Sequence, residues 1–320
     1  MGKVANTIRD IFRLALLVTR KGSLRVPPPD YAGMRARILE EIPRTIFDPD
    51  IIRTNRRPTA IKAQLLSIPF IRLAAGNIAF IRNPEKSYAQ YFVSHEKKLV
   101  YIRIFKCGST SILKSFLPLV HQPFATYPLK TSSIDSVAHH LVQHTLPDFS
   151  GYTIFAVTRN PLERLVSAYL DVFNPPHQYP DTLFNIFRNC RTLKDVVMLL
   201  DRIPDRYRGP HFVSQTTILN SVKSQNVLRF NLDSAGRNTQ LESFLNDYGM
   251  AMHRENRTAS PYDFRSFYDA ETLDLAYRIY KEDFEILGYR DAYIDLKKAF
   301  ESGWHGKLSE ASSGERPISS

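Results

Sequence analysis

Apolar positions in the middle of the chain fall into short runs, and most of these runs are followed by a helical pattern. Runs with strand character occupy 88–93, 99–105, 153–157 and 226–230. Helical patterns occupy 111–117, 162–172, 239–248 and 270–284. Strands that alternate with helices predict an α/β fold: a P-loop-like, three-layer parallel sheet flanked by helices.

The first quarter of the chain has a different pattern. Residues 4–20 show the period of an amphipathic helix, with arginines opposite the apolar positions. Such a segment predicts either a helix packed on the main domain or a basic helix lying on an anionic membrane. A second helical pattern covers 31–42, and 44–82 is basic and irregular.

These patterns divide the chain into three parts. We expect a basic, mainly helical N-terminal extension at 1–82, a catalytic domain at 83–305 and a disordered polar tail at 306–320. The three helix-breaking prolines at 27–29 separate the first helical pattern from the second.

Composition narrows the class of protein. The 320 residues are 43% hydrophobic and 23% charged, which excludes a disordered or collagen-like chain. Two cysteines, Cys107 and Cys190, are too few for a disulfide scaffold or a cysteine-based zinc site. No run approaches the ~20 apolar residues of a membrane span. We therefore expect a cytoplasmic or peripheral membrane location.

The net charge of +11 is unevenly distributed. Residues 1–82 hold 15 Lys and Arg against 6 Asp and Glu, whereas 83–320 hold 28 against 26. A nucleic-acid partner is not expected, because the chain has no nucleic-acid motif and its main domain is nearly neutral. An anionic acceptor polymer or a membrane surface would account for the basic extension.

The first candidate site is the turn from Phe105 to Ser111, which reads Phe-Lys-Cys-Gly-Ser-Thr-Ser. Gly108 permits a sharp bend and close approach of an anion to the backbone. A helix beginning here offers N–H groups and partial positive charge to a phosphate, and Lys106 adds a full charge. A Walker A loop has its lysine after its glycines, so the order here argues against an ordinary ATPase. The alternative is a plain loop with a Ser/Thr N-cap.

The second candidate site comes after the strand at 153–157. Asn160 suits an N-cap, Pro161 the first helical position and Glu163 the third position of a capping box. Arg159 stands at the carboxyl end of the strand, where open α/β sheets bind ligands. Arg159 and Ser167 are candidates for a second phosphate site, with the arginine offering a bidentate fork. Alternatively, Arg159 pairs with a structural carboxylate.

Together, these segments resemble the nucleotide site of sulfotransferases that use 3′-phosphoadenosine 5′-phosphosulfate (PAPS). Residues 105–111 resemble the 5′-phosphosulfate loop. Residues 159–169 resemble the 3′-phosphate motif in a form close to that of Golgi carbohydrate sulfotransferases, including the chondroitin and heparan types. Residues 280–289 resemble that family's ending, and the similarity spans 88–290.

The resemblance implies in-line sulfuryl transfer from PAPS to a carbohydrate hydroxyl, without a metal ion. It implies that Lys106 stabilises charge on the oxygen that bridges sulfur and phosphate. Arg159 and Ser167 would hold the 3′-phosphate. The remaining 5′-phosphate contacts would come from Cys107, Gly108, Ser109, Thr110 and Ser111.

A base must accept the proton of the acceptor hydroxyl. By analogy with the histidine-containing segment of heparan 2-O-sulfotransferases, we favour His140, then His139. Plain solvent-exposed histidines are the alternative, and a metal site from His140 and His144 at helical spacing is a further one. His211 is a candidate for the acceptor cleft, or a structural loop histidine. Arg257 is a candidate 3′-phosphate contact.

Other functions stay open at the level of sequence. Within the same reaction class, the acceptor would be a lipid or a small alcohol. From a different class, the chain would be a nucleotide-dependent kinase, although no acidic strand end of the Walker B type supports this.

Overall fold

The computed structural model describes residues 88–126, 129–144, 149–173, 187, 190–222, 226–232, 238–251 and 262–303. The helices predicted at 4–20 and 31–42, the tail at 306–320 and Arg257 lie outside these residues. Within the described ranges, no helix is both long enough and apolar enough to span a membrane.

A four-stranded sheet organises the fold. The strands are β1 (Tyr91–Ser94), β2 (Leu99–Ile102), β3 (Thr153–Thr158) and β4 (Val227–Asn231), and they lie in that order. β2, β3 and β4 are parallel, which confirms the predicted α/β fold with a mainly parallel sheet.

The first strand pair is the antiparallel part of this mainly parallel sheet. β1 runs antiparallel to β2, with Tyr91 opposite Ile102 and Ser94 opposite Leu99. Only the four residues 95–98 join the two strands. A parallel neighbour needs a crossover of about a dozen residues or more, so this short connection requires a hairpin.

Helices fill the connections and the C-terminal part of the chain. They are α1 (Ser109–Val120), α2 (Pro123–Thr126), α3 (Thr131–Leu141), α4 (Pro161–Phe173), α5 (Leu193–Leu200), α6 (Gln215–Asn220), α7 (Thr239–Asp247), α8 (Ala270–Ile279), α9 (Lys281–Ile286) and α10 (Arg290–Glu301).

The pattern at 270–284 predicts one helix, but the structure divides it at Tyr280. This residue leaves helical geometry, with φ −111° and ψ 25°. Its ring is buried and its hydroxyl donates to the carbonyl of Phe212 at 2.7 Å. The break therefore places a C-terminal side chain against the segment that precedes α6.

Two apolar clusters stabilise the fold. The first surrounds the sheet, where Tyr101 of β2 contacts Phe116 of α1 and Phe155 of β3 at ring separations of 5.9 and 5.1 Å. The second joins α4 and α5 to the C-terminal helices through residues such as Val166, Leu200 and Phe284. Full burial of side chains of this size contributes about 1.5–3 kcal/mol each. The turns at the carboxyl ends of β2 and β3 rest on these clusters.

Candidate functional site

The turn between β2 and α1 has an unusual backbone. Lys106 and Gly108 both have left-handed φ values, 67° and 69° respectively. Gly108 is the N-cap residue of α1, and a Cβ atom there would lie 3.2 Å from Leu232 Cδ1. A positive φ is uncommon for a residue with a side chain, and such strain clusters at functional sites. The turn is thus built to bend sharply at a glycine.

The first turn of α1 suits an anion. Three hydroxyl residues open the helix, and no acidic side chain lies in that turn. The first amide N–H groups of a helix have no carbonyl partner within it, and their dipoles add partial positive charge. Ser109 and Ser111 are buried, whereas Thr110 is half-buried. These features are those of a phosphate site at a helix N-terminus.

Lys106 is paired with an acid that the sequence pattern does not single out. Its amino group contacts the carboxylate of Asp171, near the end of α4. Burial lowers the pKa of Lys106, while the Asp171 carboxylate opposes that shift. About a fifth of the lysine side chain, 18%, remains exposed, so a ligand can reach it.

The second turn begins directly after β3. The Asn160 side chain accepts a hydrogen bond from the N–H of Leu162 at 3.0 Å, as expected of the predicted N-cap. The buried carboxylate of Glu163 accepts from Arg159 Nε at 3.1 Å. Arg159 therefore pairs with a carboxylate of the adjacent helix. At the level of sequence, this pairing is the alternative to a phosphate contact.

One face of α4 connects the two turns. Glu163, Ser167 and Asp171 are four residues apart, so they lie on one side of the helix. Glu163 contacts Arg159 and Asp171 contacts Lys106. Ser167 stands between these two contacts on the same face. Lys106 and Arg159 thus contact the same face of α4, on which Ser167 also lies.

A second cationic group borders the first turn. The buried guanidinium of Arg103 contacts the Asp135 carboxylate of α3 and lies 4.0 Å from the centre of the Phe105 ring. The other neighbour of that ring is His211, edge-on at 4.9 Å. Burial, followed by the charges of Lys106 and two arginines, holds the pKa of His211 well below its usual range. His211 is therefore a neutral imidazole at pH 7.

The other candidate histidines lie on and after α3. His139 and His140 are in its last turn, with ring centres 5.7 Å apart. α3 ends at Leu141, so the helical spacing that would bring His140 and His144 together on a metal is absent. His144 instead contacts the carbonyl of Ala89 at 3.0 Å. Among the described residues, no group of three or more metal-ligating side chains is arranged around a common centre.

Cys107 has a structural contact within the first turn. Its buried thiol donates to Gln215 Oε1 at 3.3 Å. Burial raises its pKa to about 11, so the thiol keeps its proton near pH 7. The side chain thus faces Gln215, and any contact of Cys107 with a 5′-phosphate would involve its backbone.

Arg164 is a further residue to which the sequence pattern assigns no role. It is buried, and its guanidinium donates to the carbonyls of Phe105 and Val213 at 2.9 Å each. These two hydrogen bonds connect the first turn to the segment before α6. The sequence carries no clear signal of this role, because Glu163 and Ser167 are polar neighbours of Arg164 along α4.

A family model described as the sulfotransferase family matches residues 89–208. The matched segment contains both turns together with α1, β3 and α4. No curated protein and no solved structure matches the chain. The family match supports a transferase that moves a sulfuryl group, in agreement with the resemblance of the two motifs.

Proposed function

We propose that this protein transfers a sulfuryl group from PAPS to a hydroxyl of a carbohydrate acceptor by in-line displacement. One observation supports this above the others. A single face of α4 holds Asp171 against Lys106 and Glu163 against Arg159, with Ser167 between them. Lys106 follows β2 and Arg159 follows the adjacent strand β3. In the proposal, these two cations bind the 5′-phosphosulfate and the 3′-phosphate of one PAPS molecule.

In this proposal the first turn holds the phosphosulfate end. The N-terminus of α1 and its hydroxyls bind the 5′-phosphate. Lys106 stabilises the negative charge that grows on the bridging oxygen as the sulfur–oxygen bond to the phosphate breaks. The acceptor oxygen forms the new bond to sulfur, and 3′-phosphoadenosine 5′-phosphate (PAP) leaves.

The second turn recognises the 3′-phosphate, which distinguishes PAPS from ATP. Arg159 offers the planar donor set that matches a phosphate, and Ser167 adds a hydroxyl. The Glu163 contact engages Nε of Arg159, which leaves its Nη donors for the phosphate. The Lys106 ammonium has three donors, of which Asp171 needs one. Glu163 and Asp171 are the counterions of these two cations before the nucleotide binds.

The proton of the acceptor hydroxyl needs a base. We assign it to His140, with His139 as the second candidate, and place His211 in the acceptor cleft. His211 is neutral at pH 7 and lies against Phe105, next to the catalytic lysine. A neutral imidazole among cations is suited to hydrogen bonding with a hydroxyl more than to holding a proton.

The decisive experiment is transfer of labelled sulfate from PAPS to a panel of glycans, lipids and small alcohols. We expect transfer to glycans, and the panel also shows whether anionic glycans are preferred. Lys106→Ala should lower kcat/KM at least about 100-fold, because it removes a charge aimed at the transition state. Arg159→Ala should weaken PAP binding by about 1.5–3 kcal/mol, the usual contribution of a charged hydrogen bond.

The matched controls change exposed residues of the same types. Lys298→Ala and Arg202→Ala remove one cation each at exposed positions, and both should leave transfer and PAP binding unchanged. Absence of PAP binding by the intact chain would contradict the proposal. Tight ATP binding that ignores a 3′-phosphate would favour a kinase, and transfer to lipids or small alcohols alone would overturn the carbohydrate acceptor.

A further inference from the structure

The backbone of Arg159 is held by a buried amide. Gln215, the first residue of α6, accepts from the N–H of Arg159 through Oε1 at 2.9 Å and donates to its carbonyl through Nε2 at 2.8 Å. One planar side chain thus satisfies both backbone groups of a single residue. Because Gln215 is completely buried, its amide is fixed by packing as well as by these bonds.

The same amide also touches the first turn. Gln215 Oε1 accepts from the thiol of Cys107 at 3.3 Å. Cys107 lies between Lys106 and Gly108, and Arg159 begins the second turn. A single oxygen atom therefore contacts both turns that form the candidate site.

Asp283 of α9 fixes this amide in turn. Its Oδ2 accepts from the backbone N–H of Gln215 at 2.9 Å and from Gln215 Nε2 at 3.4 Å. Its Oδ1 accepts from the N–H and the hydroxyl of Thr216, at 2.8 Å each. The carboxylate is fully buried, where an unpaired charge is costly, and the charge of Arg164 stabilises it together with these bonds.

From these contacts we propose that Gln215 and Asp283 are positioning residues for nucleotide recognition. Asp283 orients the Gln215 amide, and that amide sets the backbone from which the Arg159 guanidinium reaches the 3′-phosphate. The inference rests on the proposed function, since it requires Arg159 to bind that group. Neither residue touches the nucleotide.

The arrangement requires an amide at position 215. One end must accept from N–H and S–H donors, and the other end must donate to a carbonyl and a carboxylate. Gln215→Glu keeps the size and the accepting end. It replaces the donating end by an oxygen that faces the carbonyl of Arg159 and Oδ2 of Asp283. A carboxyl group carries at most one proton there, so it can serve only one of the two acceptors that Nε2 serves.

The test compares two ligands in the intact chain. Calorimetry gives the affinities for PAP and for adenosine 5′-phosphate, which lacks the 3′-phosphate. We expect wild-type protein to prefer PAP, and Gln215→Glu to reduce that preference at least tenfold. A merely structural role would weaken both ligands alike and leave the ratio unchanged. Gln240→Glu, the same change at an exposed position of α7, is the matched control.

A double variant separates positioning from the added negative charge. In an Arg159→Ala background there is no guanidinium to position, so Gln215→Glu should change the ratio no further. A further fall in the ratio in that background would mean that the new carboxylate repels the 3′-phosphate directly, and would overturn the proposal.

A milder variant covers the case in which Gln215→Glu does not fold. Thr216→Val keeps the shape of the side chain and removes one donor to Asp283, and we expect it to lower the ratio about threefold. A wild-type ratio in a folded variant at either position would overturn the positioning role and leave the proposed function standing. Wild-type protein without a preference for PAP would overturn both.

Discussion

At Lys106, both the backbone and the amino group are held in states that are unusual for lysine. The residue has a left-handed φ of 67°, and burial lowers its pKa from the ordinary value of 10.5. The Asp171 carboxylate raises that pKa and so preserves the positive charge. In the proposed mechanism, the positive charge at the bridging oxygen therefore depends on Asp171, sixty-five positions along the chain.

This environment predicts an alkaline limit for activity. A lysine with a lowered pKa loses its charge at a lower pH than usual, so the alkaline decrease of kcat/KM should have its midpoint below pH 10.5. Asp171→Asn removes an interaction that favours the charged form, so this midpoint should move to still lower pH. The measurement is the pH profile of kcat/KM for both proteins. An unchanged midpoint in Asp171→Asn would contradict the assignment of the alkaline decrease to Lys106.

Gly108 allows a second test at single-residue scale. Gly108→Ala places a Cβ at φ 69° and 3.2 Å from Leu232 Cδ1. A side chain in left-handed geometry costs roughly 1–2 kcal/mol. Urea unfolding should show a loss of at least that size, together with weaker PAP binding, because the turn that we propose for the 5′-phosphate must shift. Gly303→Ala, at φ 85° with open space around it, is the control that isolates the steric contact.

The two central cations can be predicted from the sequence, but the acid that pairs with Lys106 and the amide that holds the backbone of Arg159 cannot. Lys106 and Arg159 stand at strand ends followed by helices, and local order along the chain is enough to mark them. Asp171 contacts Lys106 only because α4 lies against the first turn, and Gln215 reaches Arg159 across 56 positions. Contacts of this kind depend on how elements pack, which periodicity does not report.

At the scale of elements, the apolar patterns of β3 and α4 are predicted closely, and the shortest helices are missed. The predicted strand at 153–157 is β3 within one residue, and 162–172 matches α4 similarly. α6 has only six residues, fewer than two helical turns, so it shows no period. The strand predicted at 99–105 ends at Ile102, because the chain then enters the first turn, which contains Lys106.

The start of α5 provides a prediction at this scale. Thr192 accepts from the N–H of Asp195 at 3.2 Å, and the Asp195 carboxylate accepts from the N–H of Thr192 at 3.0 Å. Thr192→Ala removes the capping side chain and should cost about 1 kcal/mol in the free energy of unfolding. Urea denaturation measures that loss, and sulfate transfer should stay unchanged.

Thr239→Ala is the control for this cap. Thr239 is exposed and comes directly after the N-cap residue of α7, so its side chain is not the cap. It should change stability by less than about 0.5 kcal/mol. Equal losses at the two threonines would mean that the capping box at α5 contributes nothing of its own.

At the scale of the whole molecule, most of the excess positive charge lies in residues 1–82, which hold 15 Lys and Arg against 6 Asp and Glu. Residues 1–26 hold six Lys and Arg against one Asp. The charge predicts an anionic partner outside the nucleotide site, and we propose a membrane surface or an anionic acceptor polymer. Basic residues near an anionic membrane contribute about 1 kcal/mol each, an attraction that salt weakens.

Removal of residues 1–26 tests this proposal. Binding to vesicles containing phosphatidylserine should weaken at low salt if the charge serves a membrane, with kcat/KM for a neutral acceptor unchanged. A higher KM for an anionic glycan, with vesicle binding unaltered, would assign the charge to the acceptor. Wild-type behaviour in both assays would exclude both partners.

The internal counterions on α4 have a consequence for competition by small anions. Asp171 and Glu163 are tethered beside their cations, so each carboxylate acts at a high effective concentration. A free sulfate or phosphate ion can compete with only one of them and loses its own translational freedom in binding. The proposed nucleotide, which has two anionic groups, competes with both for a single such loss. The carboxylates of α4 therefore weaken the binding of inorganic anions at these two cations.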